Sequence, residues 1–318
     1  MKTKRFLAVL VVLLFAVVPI FAAGEGESDV PTIGFANYHS GVNPYASTYT
    51  DTFLELLEEA EGEFNSVVFD AQGDPAQQAS QLDTLVSQGV DVIVLWPTDQ
   101  TALIPAVQRA HQAGIPVLVT NSPLDASANE YIVGFSGPNN VEQGKLAAQL
   151  MIEAVGESGT VVEIMGAAGY ATTNERSEGF NTYIEENSRI NVVERNPAGW
   201  DRETATQLME NYLVKYGDEI DGVYSADCGM GIGAMYAAQE AGYDDIAFTD
   251  ATLFGECWDA IQEGGYYGSV YQSPAEDARL AFETAVDILE GEDVEFYNYM
   301  DTPMVDEDNV TEFDRPPF

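Results

Sequence analysis

The residues of this chain best equipped for chemistry stand immediately after short apolar runs. Tyr38, His39, Asn43 and Tyr45 follow the first run, Trp96 through Asp99 the third, and Asn121 and Ser122 the fourth. In the second half the equivalent places hold the segment from Gly169 to Arg176, then Trp200-Asp201, Asp227-Cys228, Asp250 and Tyr271-Gln272. These are amides, carboxylates and aromatic rings with almost no positive charge. Amides and carboxylates make paired hydrogen bonds to adjacent hydroxyls, while aromatic faces cover C–H surface, so the set suits a neutral polyhydroxylated ligand. Phosphate chemistry is disfavoured, because no Gly-rich phosphate loop of the required spacing occurs and bases are scarce. Asn43 and Asn174 are also suited to capping a following helix, and Tyr45 and Trp200 to packing in a core. The chain lacks a Gly-x-Ser-x-Gly elbow, and neither His39 nor His111 has a triad setting, so no catalytic residue is expected. The carboxylates of Asp227 and Asp250 leave a secreted glycoside hydrolase as the minority alternative. Two cysteines and two histidines do not make a zinc site, and Asp306-Glu307-Asp308 lacks the glycine and final glutamate of a calcium loop, so neither metal nor cofactor is expected.

The elements that must position these residues repeat one unit: a brief apolar run, a polar loop, an amphipathic helix stopping near glycine, then another run. Strands are expected at 32–36, 67–69, 92–95, 117–119, 131–133, 160–164, 191–194, 222–224, 246–248 and 268–270. Helices are expected between them, the second opened by Asp74-Pro75, where Asp caps and Pro fits the first turn. Continuous apolar strands separated by helices imply parallel sheets covered on both faces. Ten strands exceed one comfortable core, which implies an α/β chain of two lobes. Ligands of such sheets sit at the carboxyl ends of the strands, where the polar clusters stand.

Composition narrows the partners. The 318 residues carry 53 Asp and Glu against 12 Lys and Arg, a formal net charge of −41, yet 46% are hydrophobic. Such a chain builds a large core but repels nucleic acid and anionic lipid, and the charge reads as a surface adapted to high salt. Lys2, Lys4 and Arg5 precede an apolar run from Phe6 to Phe21 and then Ala22-Ala23-Gly24, the pattern of a secretory signal peptide spanning residues 1–24, with a linker at 25–29. No cysteine lies near the cut, so a soluble periplasmic protein without lipid anchor is expected. In that compartment Cys228 and Cys257 can pair as a disulfide or remain two buried thiols.

Asn43-Pro44-Tyr45, Pro97-Thr98-Asp99, the run from Thr173 to Phe180, Asp250, Gln272 and the ending around Pro303 and Asn309 resemble, in order, the signature segments of ribose-type periplasmic sugar-binding proteins, the substrate-binding subunits of ABC importers. The resemblance implies a type I periplasmic binding protein fold: two similar doubly wound parallel-sheet lobes joined by a three-crossing hinge. The N-terminal lobe would be 30–137 plus 273–300 and the C-terminal lobe 138–272 plus 301–318. Its ligand positions fall on Asn43, Tyr45, Asn121, Asn174, Trp200, Asp227, Asp250 and Gln272, with Tyr38 as an extra contact and Arg176 as a structural arginine. Asn174 and Ser122 stand where ribose binders carry arginine, and Asp227 where they carry Asn, so the resemblance implies a monosaccharide, polyol or cyclitol other than ribose. It further implies a monomer that captures its ligand by lobe closure, delivers it to a membrane ABC permease and catalyses nothing. A chemoreceptor ligand carrier is the alternative within binding.

Overall fold

The computed structural model describes residues 30–317; the expected signal peptide and linker lie outside the described residues. Among those described, no helix is long and apolar enough to cross a membrane. The first sheet comprises β1 (Thr32–Asn37), β2 (Asn65–Asp70), β3 (Val92–Leu95), β4 (Val117–Thr120) and β5 (Gly134–Gly137), with β11 (Tyr297–Tyr299) at its edge. The second comprises β6 (Thr160–Met165), β7 (Asn191–Pro197), β8 (Gly222–Ser225), β9 (Ala247–Asp250) and β10 (Gly268–Val270), with β12 (Met304–Asp306) at its edge. The strand orders are β11-β5-β4-β3-β1-β2 and β12-β10-β9-β8-β6-β7. Pairing is parallel throughout except between β10 and β12. In β3 and β4 every residue is apolar or Thr and every one is buried, which is what helices on both faces of a parallel sheet require.

The intervening helices are α1 (Pro44–Glu59), α2 (Pro75–Gln88), α3 (Ile104–Gln112), α4 (Asn140–Val155), α5 (Ala171–Asn187), α6 (Arg202–Tyr216), α7 (Cys228–Glu240), α8 (Gly255–Gln262) and α9 (Pro274–Glu290). After β5 the chain leaves the first sheet for the second. After β10 it returns, because α9 packs on α1, β3 and β5. Between β11 and β12 it passes across once more. These are the three crossings of a type I periplasmic binding protein fold.

Three details differ from the sequence expectation. The fifth strand is Gly134–Gly137 rather than 131–133, because β11 runs so close alongside that a Cβ on Gly134 would meet the Phe296 carbonyl at 3.2 Å. Apolarity pointed to Tyr131 and Val133, but the backbone pairing selects the small residues. The edge strands β11 and β12 are three residues each and carry no continuous apolar run, so hydropathy does not reveal them. The helix after β8, expected from the sequence over 231–241, begins at Cys228, because Asp227 caps it and its glycines lie inside the helix.

Two glycines let α4 and α5 touch backbone to backbone. A Cβ on Gly144 would collide with the Arg176 carbonyl, and one on Gly179 with that of Val141. This contact fixes the start of α5, and with it the side chain of Arg176.

Candidate functional site

The strands of both sheets end facing one cleft, and the loops that leave them double as helix caps. Asn43 accepts the Ala46 N–H at 2.9 Å and opens α1, while Asp227 accepts the Met230 N–H at 2.8 Å and opens α7. Between the two lobes lies a cavity lined by side chains from both. Six aromatic residues line it: Tyr38, Tyr45, Trp96, Tyr170, Trp200 and Phe254. The polar lining comes from Asn43, Asn121, Thr172, Arg176, Asp227, Thr252 and Gln272. Across the cleft the Trp96 indole N–H donates to the Tyr170 hydroxyl at 2.5 Å. Tyr38 packs on both rings, 5.9 Å from Trp96 and 5.2 Å from Tyr170, centroid to centroid.

The first-lobe wall is organised round a buried carboxylate, Asp277 of α9. One of its oxygens accepts from the Tyr45 hydroxyl at 2.6 Å and the Asn121 amide at 2.7 Å, with the Gln272 amide at 3.4 Å. Burial pushes the Asp277 carboxyl up to about 6, although these donors pull it back. Burial likewise raises Tyr45 far above the phenol range, aided by the Asp277 charge.

The second-lobe wall is organised round a buried cation. Arg176 of α5 uses all five of its N–H donors within the protein. Nε and Nη2 donate to the Gln143 carbonyl oxygen at 3.1 and 2.9 Å. Nη1 donates to the Ala226 carbonyl at 2.7 Å and the Thr252 hydroxyl at 3.0 Å, and Nη2 also reaches the Gln272 side-chain oxygen at 2.7 Å. Desolvation lowers the arginine's pKa, opposed by Tyr224, Tyr45, Asp227 and Asp250. Burial raises Asp227, countered first by its Met230 N–H bond and then by the arginines and Asn43.

Of the three non-glycine residues with positive φ among those described, two lie in this lining: Asn121 at 61° and Trp200 at 65°. Left-handed backbone is tolerated by Asn but costly for a bulky residue, so the fold holds Trp200 there against strain. Gly166 makes room: a Cβ there would collide with the Trp200 ring. Cys228 and Cys257 form a disulfide that ties the first residue of α7 to α8, behind Asp227 and Phe254.

Of the candidates named from sequence, Tyr38, Asn43, Tyr45, Asn121, Trp200, Asp227 and Gln272 meet in the cavity lining. Asn174 and Asp250 do not. Asn174 is exposed on α5 and donates to Gln100 of the other lobe at 3.3 Å. Asp250 lies behind the wall, fully buried, accepting from the Ser269 hydroxyl and the Thr252 N–H; burial pushes it up to about 7. Trp96, Tyr170 and Thr252 were missed as individual contacts, although the strand-end rule already pointed to their clusters. Asp277 carries no such signal, since it sits five residues after Gln272 and inside a helix.

The family model described as "Periplasmic binding protein domain" matches residues 33–293. A xylitol-binding protein of Mycolicibacterium smegmatis is 30% identical over 240 residues, covering 76% of this chain and 68% of that one. The ribose import binding protein of Escherichia coli is 31% identical over 261 residues, 80% of this chain and 86% of that one. Among solved structures, an ABC transporter solute-binding protein from Bacillus halodurans with bound myo-inositol is 27% identical, with a TM-score of 0.83 over 90% of this chain and 98% of that one.

Proposed function

The chain belongs to the periplasmic binding protein family, and from that premise we propose that it captures a small polyhydroxylated ligand between its lobes and hands it to a membrane ABC permease. The observation that carries the reading is the interlobe cavity. It is small, faced by six aromatic rings, and its one arginine is wholly committed to protein acceptors, which suits a polyol, cyclitol or monosaccharide and not a phosphorylated one. Relatives that bind xylitol, ribose and myo-inositol support the same class. Asn43, Tyr38, Trp200 and Asp227 contact the ligand, Tyr45, Asn121 and Gln272 shape its first-lobe wall, Asn174 closes the rim, and Asp250 supports the second-lobe wall.

The lobes on this reading are 30–137 plus 273–300 and 138–272 plus 301–318, and residues 1–24 are a signal peptide cleaved on export to the periplasm. The protein then works in the periplasm as a monomer, where it feels the external salt, and its acidic surface is an adaptation to high salt. A thermal-shift screen in molar salt against pentoses, hexoses, polyols and cyclitols tests the reading. A specific ligand raises the midpoint by mass action. Silence across the panel, together with hydrolysis of a glycoside, overturns it.

A further inference from the structure

We propose that the ligand carries a protonated amine as well as hydroxyls, and that Asp227 is its counter-ion; this rests on the cleft being a polyol site. The Trp96 indole donates to Tyr170, Tyr45 to Asp277, the amides of Asn121 and Gln272 to Tyr45 and Asp277, and all five N–H groups of Arg176 to protein acceptors. Most of the strong donors that line the cavity are therefore already engaged.

Acceptors are less committed. Asp227 lines the cavity and is 3% exposed, and none of the six ion pairs among the described residues includes it. Arg202, the other arginine whose charge it feels, is paired with Glu256. Its hydrogen bonds come from the Met230 N–H and the Asn43 side chain, which fill only part of a carboxylate's capacity. The Thr172 hydroxyl oxygen is buried, lines the same cavity and has no partner. A buried carboxylate with no cation in contact is costly even with Arg176 in the same wall, and a ligand ammonium, with three donors and no acceptor, supplies what the wall lacks.

Two further features favour the cation. The rings of Tyr38, Trp96, Tyr170 and Trp200 form a connected aromatic surface, with Tyr170 and Trp200 centroids 5.9 Å apart, and such faces attract ammonium groups. The whole chain, at −41, draws cations towards its clefts.

Calorimetric titration with matched pairs tests this: D-glucose and D-glucosamine, D-glucitol and its 1-amino-1-deoxy analogue, myo-inositol and a monoamino-inositol. At neutral pH at least one amine is expected to bind ten-fold or more tightly than its hydroxyl partner, and N-acetylation should abolish the gain. Asp227→Asn keeps a competent helix cap, so it should fold and lose the preference for the amine. Neutral members binding as well as or better than every amine, or an unchanged ratio in the Asn variant, overturns the inference and keeps the polyol reading. Silence of all six overturns both.

Discussion

The two walls of the cleft are built on opposite charges. The first-lobe wall gathers Tyr45, Asn121 and Gln272 round the carboxylate of Asp277; the second gathers Gln143, Ala226, Thr252 and Gln272 round the guanidinium of Arg176. Gln272 belongs to both, accepting from Arg176 at 2.7 Å and donating to the Tyr45 hydroxyl at 2.5 Å. It stands at the second crossing between the lobes, so the amide dipole links cation to anion through the hinge. Arg176 has no donor left over for a ligand, and Asp277 stands outside the cavity lining. Each instead fixes neutral side chains in one orientation, so little reorganisation remains when a ligand arrives. The walls differ in redundancy: Asp277 receives three donors on one oxygen, whereas Arg176 serves four separate residues.

That difference predicts unequal damage. Arg176→Met strands the Gln143, Ala226, Thr252 and Gln272 acceptors in a buried setting, and should cost about 3–5 kcal/mol of stability in urea unfolding. A loss below about 1 kcal/mol would show that the second wall does not depend on its cation. Next in size is the Cys228→Ser, Cys257→Ser double variant. The bridge closes a separation of 29 residues, and its removal should cost about 2–4 kcal/mol and lower the melting midpoint. Ligand affinity should fall with it, because the disulfide anchors the helix that Asp227 caps. Tyr45→Phe tests the first wall and should cost only about 1–2 kcal/mol, since Asn121 still donates to Asp277. An equal or larger loss than for Arg176→Met would reverse the comparison.

How far these walls were legible in the sequence follows the same division. The alternation of apolar runs with helices, the two lobes and the clusters at strand ends were readable because parallel strands must be apolar throughout and loops must carry polar groups. That reasoning points to Trp200 and Asp227, and both line the cavity. The edge strands were not, because pairing by backbone alone leaves no mark on hydropathy, and Gly134 was chosen by close approach rather than by propensity. The resemblance marks Arg176 as structural, and its five bonds to protein acceptors give it a wall-building role. Asp277 could not be found, since one more acid in a chain with 53 of them carries no signal until α9 places it under Tyr45. Asp250 closes β9 as expected, but the strand end turns its carboxylate inward to Ser269 and Thr252 rather than to the cavity.

The finest test of the comparison is the proton on Asp277. Its ordinary value is 3.8 and its folded value about 6, so the folded chain binds the proton more tightly than the unfolded one. The native state is therefore favoured by this group below about pH 4, and the advantage is lost as pH rises towards 6, after which it is level. Asp250, raised to about 7, and Glu175, raised to about 6 mainly by burial, titrate in the same direction, so wild-type stability should fall between pH 5 and pH 7. Asp277→Asn removes one of these contributions and leaves the others. The difference in unfolding free energy between variant and wild type should then shift by roughly 1 kcal/mol from pH 5 to pH 7, in favour of the variant at the higher pH. The buried oxygen of Asp277 that has no partner gives the reason for the sign, because a proton there relieves an unpaired charge. A pH-independent difference would mean that the first wall is held by a neutral group after all, and that only the wall round Arg176 carries charge.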